Sequence, residues 1–379
     1  MPSTPKPCGV IDRFETLAPI DNPSGEEAVI REHILAALAV SGIRDTTVDA
    51  AGNLIARVPG KAHCPTVMLS AHMDSVPPCR GIRPVRDTFQ DRPIIRSEGK
   101  TILGADDKAG IAVILEVIDQ LTAGGFQENP PLELFFSVQE EVGLQGGKAL
   151  DTSACQATMA LVLDGEGRAG MIFNQGPTQT QLRAGITGKS SHAGISPEAG
   201  ISAIEALALF CTLVPSGRPG GAYGPETTTN LGVVHGGEGL NVVPCGASVV
   251  ADARTHTEDS ARLIRAAWDQ AGEAVSQRFA GVQVQLEFDQ RYQGFRLSAG
   301  HPLIRLTEDA ARDVALSPAV APMNIGSDAH WLNLKGIPTV VLGMGFHQSH
   351  SLGEYLYVEE LEQVVAWTMA VLARVTRED

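Results

Sequence analysis

Four short apolar runs constrain this fold most: Thr66 to Ala71 (TVMLSA), Leu132 to Val138 (LELFFSV), Ala160 to Leu163 (ALVL) and Pro338 to Leu342 (PTVVL). Each is too short for a helix and rich in Val, Leu or Phe, which reads as a buried strand. Helical patterns lie between them. Residues 107–122 carry Ile111, Ile114, Ile118 and Leu121 on one face and end at Gly124-Gly125, and Glu26 to Ala39 is a second such stretch. Strands alternating with helices predict an α/β fold, a mixed and largely parallel sheet with helices on both faces.

The stretch 179–291 has a different pattern. Gln181 to Thr187, Asn230 to Val234, Ala247 to Ala253 and Val282 to Phe288 are strand-like, and residues 258–279 are helical. Ser196-Pro197 predicts a helix start, with Ser as N-cap, Pro in the first turn, and Ile201, Ile204, Leu207 and Cys211 on one face. The α/β pattern then returns with Pro302 to Val314. At 379 residues the chain exceeds what one core usually serves. The expected organisation is a main domain of residues 1–178 and 292–379, with a small α+β domain, 179–291, inserted into it.

Composition excludes several function classes. A formal net charge of −15 repels phosphate backbones and anionic lipid, so neither nucleic acid nor a membrane is an expected partner. No apolar segment reaches a membrane-spanning length, and the first residues lack the basic stretch and apolar run of a signal peptide. The six cysteines, Cys8, Cys64, Cys79, Cys155, Cys211 and Cys245, are scattered without a CxxC pair, which predicts reduced thiols and a cytoplasmic location.

Metal-binding side chains recur where strands end. Ala71-His72-Met73-Asp74 follows the first run, and residues i and i+2 of an extended chain point the same way, so His72 can bind a metal while Asp74 contacts its ring. Gly104-Ala105-Asp106-Asp107 precedes a helix, where one Asp can bridge two ions or simply cap the helix. In Gln139-Glu140-Glu141-Val142-Gly143, adjacent residues point apart, so Glu141 can bind metal while Glu140 faces an attacking water as general base. Leu163-Asp164-Gly165-Glu166 offers further carboxylates, and Phe346-His347-Gln348-Ser349-His350 two imidazoles. Each place has an ordinary structural reading by itself. Five of them, at least four just past buried strands, point together to a metal-dependent hydrolase.

As a set, AHMDSVPP, LGADDKAGIA, VQEEVGLQGGKAL, LVLDGEG, GKSSHAG, GLNVVP, ADAR and HSLGEYLYVEEL resemble the superfamily of dinuclear zinc hydrolases. That superfamily contains peptidase T, carboxypeptidase G, aminoacylase and succinyl-diaminopimelate desuccinylase, and the resemblance is nearest to peptidase T-like proteins. It spans residues 71–361.

The resemblance implies two Zn²⁺ per subunit, with Co²⁺ or Mn²⁺ able to substitute, held by His72, Asp106, Glu141, Asp164 and His350. Asp106 would bridge the ions and its peptide bond to Asp107 would be cis, Asp74 would orient His72, and Glu140 would be the general base. His350 is preferred to His347 because family members place a histidine four residues before a glutamate, as His350 stands to Glu354.

The inserted domain would act as a lid and hold a homodimer together. From it His192 would stabilise the oxyanion, reaching the partner subunit's site, and Asn241 and Arg254 would bind the substrate. Gly326 opens a loop, GSDAH, that resembles a family loop reading GSDAN, so Gly326 is a further substrate-binding candidate and His330 is a departure from the pattern. The implied reaction is amide hydrolysis, with a short peptide or an N-acyl amino acid as substrate. A di- or tripeptide aminopeptidase comes first, and a deacylase, deacetylase or carboxypeptidase second. A non-catalytic peptide- or metal-binding protein on the same fold is disfavoured, because Glu140 and every implied ligand are present.

Overall fold

The structure is a computed structural model describing residues 9–126 and 128–377. Cys8 and the first residues of the stretch read for a signal peptide lie outside the described residues. The chain divides into two compact units, one ending at Gln175 and resuming at Phe295, the other Gly176–Gly294. The expected junctions, after 178 and before 292, fall three residues from these at each end.

The first unit is built on a nine-stranded sheet. Its order is Thr46–Val48, Leu54–Val58, Leu132–Ser137, Thr66–His72, Ala157–Gly165, Thr339–Gly343, Met171–Gly176 and Phe295–Arg296, with Ala319–Pro322 paired off this path to Met171–Gly176. The four strands foreshadowed by the apolar runs lie side by side and parallel. They are apolar without interruption because both faces are covered. Val67, Leu69, Leu134, Phe136, Leu161, Leu163, Val340 and Leu342 join the larger core. Met68, Phe135, Ala160, Val162 and Val341 point the other way, into a second core with Ala329 and Leu332. This alternation is the period of two that a strand imposes.

The helix predicted over 107–122 runs Ala105–Ala123. Gly110 lets it approach the sheet, since a Cβ there would stand 2.2 Å from the Leu163 carbonyl oxygen. The second predicted helix spans Ala28–Val40. A separate antiparallel sheet of Phe346–His347, Tyr355–Tyr357, Arg92–Ser97 and Pro84–Phe89 had no expectation in the sequence. Its strands are short or exposed, so their burial pattern is weak.

The second unit is a four-stranded antiparallel sheet ordered Thr228–Gly236, Gly246–Thr255, Thr178–Thr187 and Gln283–Tyr292. Ala203–Leu213 and Glu258–Arg278 supply its helical core residues, Phe210 and Trp268 meeting edge to face at 5.1 Å. The helix expected to start at Ser196-Pro197 does not. Pro197–Ala199 forms one 3-10 turn, Gly200 is extended, and the α-helix begins at Ala203 with the Ser202 hydroxyl accepting from Glu205 N. Two capping serines compete here, and glycine between them breaks the run.

Cys64, Cys79, Cys155, Cys211 and Cys245 are free thiols. No helix among the described residues is long and apolar enough to cross a membrane.

Candidate metal centre

The parallel strands place their carboxyl ends together, and ligands gather there because loop residues just past a strand are aimed by a rigid sheet. His72 is the last residue of Thr66–His72 and pairs in register with Ser137, three residues before Glu140. Asp164 lies near the end of the neighbouring strand Ala157–Gly165.

Two groups of side chains converge on Asp106. His72 Nε2 lies 2.8 Å from Asp106 Oδ1 and 3.5 Å from Asp164 Oδ1. His350 Nε2 lies 3.2 Å from Asp106 Oδ2 and 3.0 Å from Glu141 Oε1. One carboxylate thus presents one oxygen to each imidazole. The Asp106-Asp107 peptide is cis. Asp107 is also close: His72, Asp107 and Asp164 offer donor atoms within 4.8 Å of one another, as do His72, Asp106 and Glu141. Asp107 is nonetheless engaged, its Oδ2 accepting from His72 N and its Oδ1 from Gly110 N.

The electrostatics are those of a site assembled for cations. Burial pushes the Asp164 carboxyl up to about 7, against the opposing pull of His72. Burial likewise raises Glu140 well above the carboxylate range, with the charges of Asp164, Glu141 and Asp328 adding to the rise. Burial also works against ionising Asp106, but hydrogen bonds with His350 and His72 prevail and hold it below its ordinary value. Hydrogen bonds with Asp106 and Glu141 lift His350 to about 10. Imidazoles holding protons between crowded acids are standing where positive charge is needed. An imidazole nitrogen with carboxylate oxygens, twice over and sharing one carboxylate, is a donor set that fits a pair of divalent cations.

Asp74 organises the surroundings more broadly than the HxD spacing suggests. Its backbone oxygen is nearest to the His72 ring, 2.9 Å from Nδ1, while its carboxylate Oδ1 is at 3.5 Å. That carboxylate accepts from Glu140 N at 2.9 Å and Glu141 N at 3.2 Å. The Ser24 hydroxyl donates to it at 2.6 Å, and Glu27 accepts from Gln139 N at 3.0 Å. Sequence reasoning missed Ser24 and Glu27; the polar run DNPSGEE was their only trace.

Of the two nearby histidines, His350 is the one beside Asp106 and Glu141, whereas His347 stacks on Tyr355 with ring centroids 5.3 Å apart. Glu354 is buried, and burial pushes its carboxyl up to about 7, the Asp106 charge adding to this and three backbone bonds opposing it. In the GSDAH loop Gly326 is partly exposed, and buried Asp328 accepts a hydrogen bond from the Ser137 hydroxyl. His330 is buried edge-on to Phe295 at 4.9 Å, with Nδ1 2.9 Å from the Ser327 carbonyl oxygen.

His192, Asn241 and Arg254 belong to the second unit. His192 Nδ1 accepts from Gly194 N and Ile195 N, and Ala193 N donates to the Asn241 carbonyl at 2.9 Å. Arg254 Nε donates to Asp252 at 3.0 Å, whose other oxygen accepts from Gln179.

The chain is similar to known proteins along nearly its whole length. Residues 68–374 match the model of peptidase family M20/M25/M40. The uncharacterized protein YqjE of Bacillus subtilis is 33% identical over 96% of this chain and 97% of its own. The crystal structure of aminopeptidase PepT from Bacillus cereus superposes with a TM-score of 0.86 at 32% identity, covering 97% of this chain and 98% of that one. A tripeptidase from Staphylococcus aureus gives 0.91 at 28% identity, covering 98% and 99%. The chain belongs to peptidase family M20/M25/M40 and is a metal-dependent hydrolase.

Proposed function

We propose that this protein is a di- or tripeptide aminopeptidase of peptidase T type that works with two zinc ions. The observation carrying this reading is the shared carboxylate of Asp106 between two imidazole–carboxylate groups, with Glu140 buried beside them. His72, Asp106 and Asp164 would hold one ion, and His350, Asp106 and Glu141 the other. A bound metal pair would supply Lewis-acid polarisation of the scissile carbonyl and lower the pKa of water.

The chain's own residues do the rest. Asp74 fixes the backbone of Glu140 and Glu141 and contacts the His72 ring, so base and ligands hold one geometry. Glu140 accepts the proton of the attacking water and returns it to the leaving amine. Burial, the first cause of its raised pKa, makes its carboxylate a stronger base than an exposed one.

Choice of substrate rests on the aminopeptidase and tripeptidase named above, similar along nearly the whole chain. Roles for His192, Asn241, Arg254 and Gly326 in substrate binding rest on the motifs GKSSHAG, NVVP, ADAR and GSDAH. A homodimer formed through residues 179–291, and a cytoplasmic location, complete the reading.

Purified protein, stripped and reloaded with Zn²⁺, Co²⁺ or Mn²⁺, should be assayed against dipeptides, tripeptides, N-blocked tripeptides and N-acyl amino acids. Cleavage of unblocked tripeptides is expected. Hydrolysis of N-acyl amino acids with tripeptides left intact would overturn the aminopeptidase assignment in favour of a deacylase.

A further inference from the structure

Glu354 is almost wholly buried, yet it is neither a candidate ligand nor the base. Its Oε2 accepts from Leu103 N at 2.7 Å and Gly104 N at 2.8 Å, and its Oε1 from Asp106 N at 3.2 Å. One carboxylate thus gathers three amides of the segment that presents the shared Asp106, across some 250 positions of sequence. Glu354 lies only four residues after His350, on the same loop. That loop includes two non-glycine residues at positive φ, Gln348 at 57° and His350 at 62°. Such a backbone persists only where neighbours hold it.

The other end of the loop has its own anchor. Glu166, two residues past Asp164, accepts from Gln348 N at 2.9 Å and from the Ser349 hydroxyl at 2.6 Å. Residues 348–354 are therefore tied at one end to the strand that carries Asp164, and at the other to the segment that carries Asp106.

We propose that Glu354, assisted by Glu166, is a positioning residue that sets His350 against Asp106 and so governs the affinity of the ion shared by His350, Asp106 and Glu141. The inference rests on the two-metal reading above. His72 and Asp164 hang on strands of the main sheet, so the ion on their side depends on this loop only through the shared Asp106. Loosening the loop therefore weakens most the ion that His350 holds, and the other less, through Asp106 alone. Partners that orient ligands in this way commonly change metal affinity by about 10–100-fold.

The test titrates Zn²⁺ into metal-free wild type, Glu354→Gln and Glu166→Ala by calorimetry, with Co²⁺ absorption spectra reporting coordination. Wild type is expected to bind two ions. In both variants one ion should bind at least about 10-fold more weakly and the other should lose distinctly less, Glu354→Gln being the more affected. Should Glu354→Gln fail to fold, Glu166→Ala carries the test, because Glu166 is exposed and its side-chain bonds among the described residues go to this loop. Two unchanged constants, or equal weakening of both, would overturn the positioning role while leaving the two-metal reading intact. A wild type that binds fewer than two ions would instead remove that reading.

Discussion

His72 Nε2 stands 2.8 Å from Asp106 Oδ1, joining the end of a central strand to the start of the helix Ala105–Ala123. The contact brings an imidazole to a carboxylate that also faces His350. Without cations, Asp106, Glu141 and Asp164 repel one another, and Glu141 and Asp164 resist ionisation. Chelation with dipicolinate should therefore abolish turnover and lower the melting temperature. Metal at about 100 times its dissociation constant should restore some 2.7 kcal/mol of stability. A melting curve indifferent to chelator and metal would refute the cation site.

Glu140 is the next residue to test. Glu140→Gln keeps the shape and the backbone bond to Asp74 but removes the base. Turnover should fall by about 10²–10⁴-fold, with metal content measured by mass spectrometry unchanged. Wild-type kcat in this variant would remove the base assignment.

Metal uptake should release protons. In the metal-free protein His350 holds its proton up to about 10, through its bonds with Asp106 and Glu141, and it must lose that proton to ligate. Asp164, pushed up to about 7 by burial, gives up another below that pH. Apparent metal affinity should thus climb with pH between 6 and 9, and more steeply below 7. Stability follows the opposite course in the metal-free state. The His350 pKa is raised on folding, so its contribution is complete below the ordinary 6.5 and is lost as pH rises through about 10. Calorimetry in buffers of differing ionisation enthalpy checks the proton count, and pH-independent uptake would contradict it.

Gly110→Ala tests how closely the Asp106 helix must approach the sheet. Its added Cβ would meet the Leu163 carbonyl at 2.2 Å and Asp107 Oδ1 at 2.5 Å, so the helix must shift. A destabilisation of about 1–3 kcal/mol in urea unfolding is expected, together with weaker metal binding, because Asp106 moves with the helix. Unchanged stability would mean that the packing there is looser than described.

Much of the fold was legible because burial on both faces leaves an unbroken apolar run, as in LELFFS of Leu132–Ser137. The hairpin of Pro84–Phe89, mostly exposed, and Arg92–Ser97, buried only at Ile94, Ile95 and Ser97, left no such trace. Ser196-Pro197 misled because a local capping signal cannot show that Ser202 will cap instead. Ser24 acts through a bond to the Asp74 carboxylate, and Glu166 and Glu354 through bonds to backbone amides, all distant in sequence, which residue type alone does not reveal.

By itself the sequence determined the chemical inventory: which strands would be buried, and that imidazoles and acids would follow them. Only the tertiary structure decided which atoms meet. It set His72 and His350 against opposite oxygens of Asp106, and turned the Asp74 carboxylate toward the amides of Glu140 and Glu141. The physical reason is that periodicity encodes burial one residue at a time, whereas a metal centre depends on distances between segments that only the packed sheet and its loops bring within reach.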